Sequence, residues 1–149
     1  MSGPVLVLGL GVTGRAVLEA LSTRGLDVLA VDDRPGPEAR SCAERLSVEL
    51  VDSPNPTSWT GLVERAGEVV VSPGIPDGHP VFAAAAAAGV QILDESDLAD
   101  RWDARPRCAV TGTNGKTTVV TLVADMLQRS GMVAVAAGNT DTPLVVAID

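Results

Sequence analysis

Val5-Leu6-Val7-Leu8-Gly9-Leu10-Gly11-Val12-Thr13-Gly14 sets four apolar residues directly before a Gly-x-Gly-x-x-Gly run. An uninterrupted apolar run suits a strand buried on both faces. The residues that follow, Thr13–Thr23, carry Val17, Ala20 and Leu21 at helical spacing. Strand, glycine loop and helix in this order form the context in which the pattern has physical meaning. The first glycine allows a tight turn, the second lets backbone approach a pyrophosphate, and the third lets helix pack closely on strand. The helix N-terminus then offers unpaired N–H groups to an anion. Asp32 and Asp33 close the next apolar run, Val28–Val31, about twenty residues on, where an acid meets a ribose hydroxyl in dinucleotide-binding folds. The set fits a diphosphate nucleoside and leaves open which one.

Working outward, short apolar runs recur at Val48–Val51, Val69–Val71 and Val90–Leu93, with helical stretches near Pro37–Leu46, Ser58–Arg65 and Val81–Ala88 between them. Nearly continuous apolar strands alternating with helices predict an α/β fold, a parallel sheet of Rossmann-like type covered on both faces. The alanine run Ala83–Ala88 reads as a closely packed helix. A polar helix and connector then span Asp94–Arg105 and end at Pro106. After it the pattern restarts with a strand at Arg107–Thr111, a glycine loop, a helix at Thr117–Arg129, a strand at Met132–Ala137 and the start of a helix at Pro143–Ile148. The expected organisation is a Rossmann-like domain over residues 1–93, a connector over 94–106, and the beginning of a P-loop α/β domain over 107–149.

The second loop reads Thr111-Gly112-Thr113-Asn114-Gly115-Lys116-Thr117-Thr118. In a P-loop the backbone N–H groups wrap phosphates, the lysine reaches the β/γ oxygens and the hydroxyl residue binds Mg²⁺. Val110 stands where the full G-x-x-x-x-G-K-[ST] pattern has its first glycine. The following helix should bury one face through Val119, Val123, Met126 and Leu127.

Composition narrows the partners. Hydrophobic residues make up 46% and charged residues 20%, which supports a buried core. A formal net charge of −8 without a cationic block excludes a phosphate-backbone face for nucleic acid. Aromatics are only 2%, too few for a platform on which unpaired bases stack. Phosphate must therefore be held locally, by backbone N–H groups and single cations. Cys42 and Cys108 match no metal-ligand spacing and read as free thiols. The longest uncharged stretch, Gly78–Leu93, is interrupted by Pro80 and Gly89, so no membrane span is expected and the protein is placed in the cytoplasm. His79 beside Pro80 reads as a cap or turn residue, and Trp59, Phe82 and Trp102 as packing residues.

Gly112-Thr113-Asn114-Gly115-Lys116-Thr117 resembles the ATP loop of the Mur ligases and their folylpolyglutamate synthetase relatives, which use this shortened form. Ser72-Pro73-Gly74-Ile75 followed by His79-Pro80 resembles the end of the uridine-nucleotide domain in the D-glutamate-adding branch. The L-alanine-adding branch typically has His at the place of Asn114 and Ser-Ala at Pro73-Gly74, and the later-acting branches lack the N-terminal Gly-x-Gly-x-x-Gly. The resemblance covers essentially the whole chain, with its motifs in the right order.

It implies that Gly11, Val12 and Thr13 lie against UDP phosphates, Asp32 and Arg34 around the uridine, and Gly74 and Asn139 along the sugar-nucleotide path. ATP would sit on Gly112, Thr113, Asn114, Gly115, Lys116, Thr117 and Thr118. Lys116 would stabilise the β/γ phosphates and Thr117 would hold Mg²⁺, the two catalytic contributions of this stretch. The implied substrates are UDP-N-acetylmuramoyl-L-alanine and D-glutamate, joined through an acyl phosphate in peptidoglycan precursor synthesis. Two positions depart from the pattern. Asp33 stands where the family often has Thr, and Thr140-Asp141 follow Gly138-Asn139 where it has Ile-Gly. The family's further metal ligand, its catalytic His, its modified Lys and its amino-acid domain would lie beyond Asp149, so the chain reads as an N-terminal part, inactive alone and with apolar surface uncovered. The competing readings are an NAD-dependent oxidoreductase domain and a non-catalytic nucleotide-binding module.

Overall fold

A computed structural model describes residues 3–138 and 142–148. Five strands form one sheet: β1 (Val5–Leu8), β2 (Val28–Asp32), β3 (Glu49–Asp52), β4 (Glu68–Val71) and β5 (Gln91–Leu93). All pairs are parallel, in the order β3-β2-β1-β4-β5. The chain winds outward from β1 to one side, then returns beside β1 with β4 and winds to the other. That reversal makes the C-terminal ends of β1 and β4 a topological switch point, where open α/β sheets leave a crevice.

Alternation along each strand divides the core in two. Val7, Val28, Ala30 and Val70 face α1 (Val12–Thr23), α2 (Pro37–Leu46) and α5 (Glu95–Trp102). Leu6, Leu8, Leu29, Val31 and Val69 face α3 (Trp59–Arg65), which follows a 3₁₀ turn at Pro56–Ser58, and α4 (Pro80–Ala88). Both faces are buried, which is why these strands read as apolar runs and not as alternating ones. Within α4 Val81, Ala84 and Ala85 are buried, and the rest of the alanine run is exposed. Trp59 is buried, and Phe82 and Trp102 pack half-buried against the core.

Asp94 caps α5 through a capping box, accepting the N–H groups of Ser96 (2.8 Å) and Asp97 (3.1 Å), while Asp97 accepts that of Asp94 (2.9 Å). Beyond it come α6 (Lys116–Arg129) and the short α7 (Leu144–Ala147). The strands expected at Arg107–Thr111 and Met132–Ala137 do not form among the described residues. Their β-branched composition favours extended backbone, but a strand needs a neighbour for its N–H and C=O groups, and neither stretch has a ladder partner. Val133 and Val135 are exposed. The apolar face expected on α6 is likewise uncovered: Ala124 is buried, while Val119, Leu122 and Met126 are exposed and Val123 and Leu127 are half-buried. Among the described residues no helix is long and apolar enough to cross a membrane.

Candidate nucleotide sites

A cleft of about 410 Å³ opens at the switch point, lined by Gly9, Gly11, Val12, Thr13, Asp32, Asp33, Arg34 and Ser72–Ile75. Six of the seven residues assigned to the sugar nucleotide meet there; the seventh, Asn139, lies outside the described residues. A larger depression, about 620 Å³, sits at the opposite end of the strands against Pro4, Val28 and Glu49, and carries no glycine loop.

The glycine loop is shaped by contact as well as by backbone. Gly9 has φ +84°, and a Cβ on Gly14 would lie 1.8 Å from the Gly9 carbonyl oxygen, so α1 can approach β1 this closely only without a side chain. Gly11 has open space over its Cα on the cleft side. Helix α1 starts at Val12 with no side-chain cap and no acid in its first turn, which leaves its first N–H groups to a ligand or water.

Asp32 has a partner that spacing alone did not suggest. Its carboxylate accepts the N–H of Leu10 (2.6 Å) and the N–H of Arg34 (2.8 Å), fastening the glycine loop to the end of β2. Ser72 does the same from just past the end of β4: its Oγ donates to the Gly9 carbonyl (2.6 Å). The two motifs, 63 residues apart, are thus one hydrogen-bonded unit.

Asp33 points to His79, expected from the sequence as a cap or turn residue. His79 Nδ1 accepts the Val81 N–H (3.2 Å) and so caps α4; the other nitrogen, Nε2, carries the proton and donates to Asp33 Oδ2 (3.1 Å). Trp59 meets the imidazole edge-on at 4.7 Å. The additional carboxylate at the cleft is therefore held from the side by a buried histidine.

At the second loop Gly112 (φ +145°) and Gly115 (φ +80°) turn the chain into α6, whose N-terminus has no side-chain cap and no acid in its first turn. Lys116 Nζ donates to the Gly112 carbonyl (2.6 Å), so the ammonium lies folded across the loop. Residues Gly112–Thr118 are all exposed. Among the described residues no group of three or more His, Cys, Asp and Glu gathers in a metal-binding cluster. Cys42 is buried and Cys108 exposed, both as free thiols.

An all-parallel 3-2-1-4-5 sheet with its glycine loop at the switch point defines a Rossmann-like α/β protein. Residues 3–94 match the family described as Mur ligase MurD-like, N-terminal domain, and residues 110–147 match the Mur ligase middle domain. The chain belongs to the Mur ligase family, on its MurD-like branch. It is 40% identical over 149 residues to the UDP-N-acetylmuramoylalanine–D-glutamate ligase of Frankia casuarinae, a match covering 97% of this chain and 31% of that protein. The enzyme of the same name from Thermus thermophilus is 40% identical over 144 residues, covering 97% and 33% respectively. The chain thus spans about a third of the length of these relatives.

Among solved structures, UDP-N-acetylmuramate:L-alanyl-gamma-D-glutamyl-meso-diaminopimelate ligase from Neisseria meningitides superposes with TM-score 0.60 at 19% identity, over 88% of this chain and 41% of that one. A pseudomurein peptide ligase type C from Methanothermus fervidus gives 0.57 at 21%, over 87% and 26%. At these identities the likeness is one of fold.

Proposed function

We propose that the switch-point cleft binds the UDP end of a UDP-N-acetylmuramoyl-L-alanine substrate, and that the second loop binds ATP for its ligation to D-glutamate. The observation that carries this reading is the joining of Gly9–Gly14 to Ser72–Ile75 through the Ser72–Gly9 bond at the switch point. Gly11, Val12 and Thr13 would face the diphosphate, with the α1 N–H groups as donors. Because the Asp32 carboxylate is already tied to backbone, we assign it first to holding the loop and only through its remaining lone pairs to a ribose hydroxyl. Arg34, Gly74 and Asn139 would complete the sugar-nucleotide path.

At the second loop the uncapped α6 N-terminus and the Lys116 ammonium suit the phosphates of ATP. The Thr117 hydroxyl is a hard oxygen donor of the kind Mg²⁺ takes, so the residues present fit that ion as one ligand of a larger set. When bound, Mg²⁺ would neutralise phosphate charge. Lys116 would hold the β/γ oxygens in line with the substrate carboxylate, which becomes an acyl phosphate before the amine of D-glutamate displaces phosphate. The oxidoreductase alternative accounts for the first loop alone and leaves the second unused.

Titration calorimetry of the chain with the UDP-linked substrate and, separately, with NADH tests the reading. Heat with the former, none with NADH, and loss of Mg·ATP binding in Lys116→Ala are expected. NADH binding without a response to the UDP-sugar would overturn it.

A further inference from the structure

Helix α7 is held at both of its ends, its start against the core of the first domain and its end by the connector that follows that domain. Val145 of α7 is fully buried, in the same apolar cluster as Leu10 of the first glycine loop, Val17 of α1 and Leu98 of α5. Glu95, the first residue of α5, is 8% exposed. Its carboxylate accepts the N–H of Val145 at 3.0 Å, with the Leu144 N–H beside it. These are groups a helix leaves without an internal partner. At the other end Arg105 Nη2 donates to the Ile148 carbonyl at 3.1 Å, and Arg105 Nε is held by Asp103 at 2.7 Å. Just before α7 the Gly138 N–H donates to the Thr142 carbonyl at 2.9 Å.

A buried carboxylate is costly unless it is well hydrogen-bonded. Here its compensation comes from the backbone of α7, 50 residues away in sequence. An apolar residue at the same place would serve the core but leave buried N–H groups of α7 without an acceptor. Neither Glu95 nor Arg105 belongs to either glycine loop.

We propose that Glu95 is a positioning residue: by holding the N-terminus of α7, with Arg105 closing the far end, it seats residues 142–148 against the first glycine loop. The seat ties the stretch that follows the phosphate loop to the domain that carries the cleft. It thereby sets how the two candidate nucleotide sites face one another, a consequence that rests on the functional reading above. The seat itself does not depend on that reading and is tested without ligand.

The test is amide hydrogen exchange on the full chain as wild type, Glu95→Leu and Glu95→Gln. Leucine keeps the volume and removes the acceptor; glutamine keeps an acceptor oxygen. In E95L the Leu144 and Val145 amides should exchange roughly tenfold faster or more, while amides of β1, β2 and β4 hold their wild-type rates. E95Q should stay within about threefold of wild type at the same two amides. Wild-type rates in E95L, or E95Q as fast as E95L, would overturn the proposal. So would loss of protection across the sheet in E95L, which would make Glu95 a core determinant of the first domain and not a clamp on α7.

Discussion

Around Gly9–Gly14 the loop is held while its tip stays open: Gly11 and Val12 are exposed, but Leu10 and Gly14 are buried, Asp32 and Ser72 grip the backbone from the ends of neighbouring strands, and α1 buries Ala16, Val17, Leu18, Ala20 and Leu21. Around Gly112–Thr118 every residue is exposed, Lys116 reaches only its own loop, and Ala124 is the buried residue of α6. Both regions carry a glycine loop at the mouth of a helix, and both helices begin without a cap or an acid. What separates them is the sheet. A loop and its helix N-terminus are local structure, made by glycine torsions and orphan N–H groups. A cleft is not local: it requires two parallel strands whose crossovers diverge, and the first region has them in β1 and β4.

The contrast can be broken most sharply at Gly14. In an open helix, Gly→Ala stabilises by up to about 1 kcal/mol. Here the added Cβ would collide with the Gly9 carbonyl oxygen, and Gly14→Ala is expected to cost about 3 kcal/mol in a urea melt. A stabilised variant would show that the close approach of α1 to β1 is not needed.

Asp32→Ala comes next. It leaves the N–H groups of Leu10 and Arg34 without their charged acceptor, and should lower stability by about 1.5–3 kcal/mol even with no ligand present. If the melt is unchanged and only UDP-sugar affinity falls, Asp32 acts on the ligand alone.

A smaller effect separates two neighbouring carboxyls on α5. Burial alone would raise the Asp94 carboxyl, but hydrogen bonds from the Ser96 hydroxyl and the N–H groups of Asp97 and Ser96 outweigh it and hold it below its ordinary 3.8. Its stabilisation is complete above that value and lost as pH falls through the lower folded one. Glu95 runs the other way. Burial pushes its carboxyl above the ordinary 4.5, the α7 N–H groups pulling it back in part and Asp94 adding to the rise. Its contribution is complete below 4.5 and lost as pH rises through the raised folded value. Protection of the Val145 amide, corrected for intrinsic exchange, should therefore weaken as pH rises above 4.5, whereas that of Asp97 should weaken on acidification below 3.8. A common trend for both amides would contradict these opposite signs.

The least expected change is at Leu122, exposed on α6. Leu122→Ala should alter stability by no more than about 0.5 kcal/mol, since little burial is lost. A cost of several kcal/mol would mean that the α6 face is covered in solution.

Much of the first region was legible. Val5–Leu8 is a strand to the residue, because four consecutive apolar side chains fit only a segment buried on both sides. Proline at the first position and glycine in the left-handed conformation after Ala88 bound α4, and Asp94 with Asp97 announces α5. In the second region the strands that composition predicts are absent among the described residues. Arg107–Thr111 and Met132–Ala137 have strand composition, but composition supplies no partner, and an unpaired extended chain is not a strand.

The sequence by itself determined what is periodic or torsional: the strands and helices of the first sheet and the two glycine loops at the starts of their helices. Only the tertiary structure decided that Asp32 turns its carboxylate onto Leu10, that Asp33 is met by a histidine 46 residues away, that Ser72 ties the second motif to the first, and that Glu95 reaches the backbone of α7. Side-chain spacing and glycine torsions act over a few residues and can be read from the chain. Hydrogen bonds between residues distant in sequence come into being only once the sheet has closed and its helices have packed.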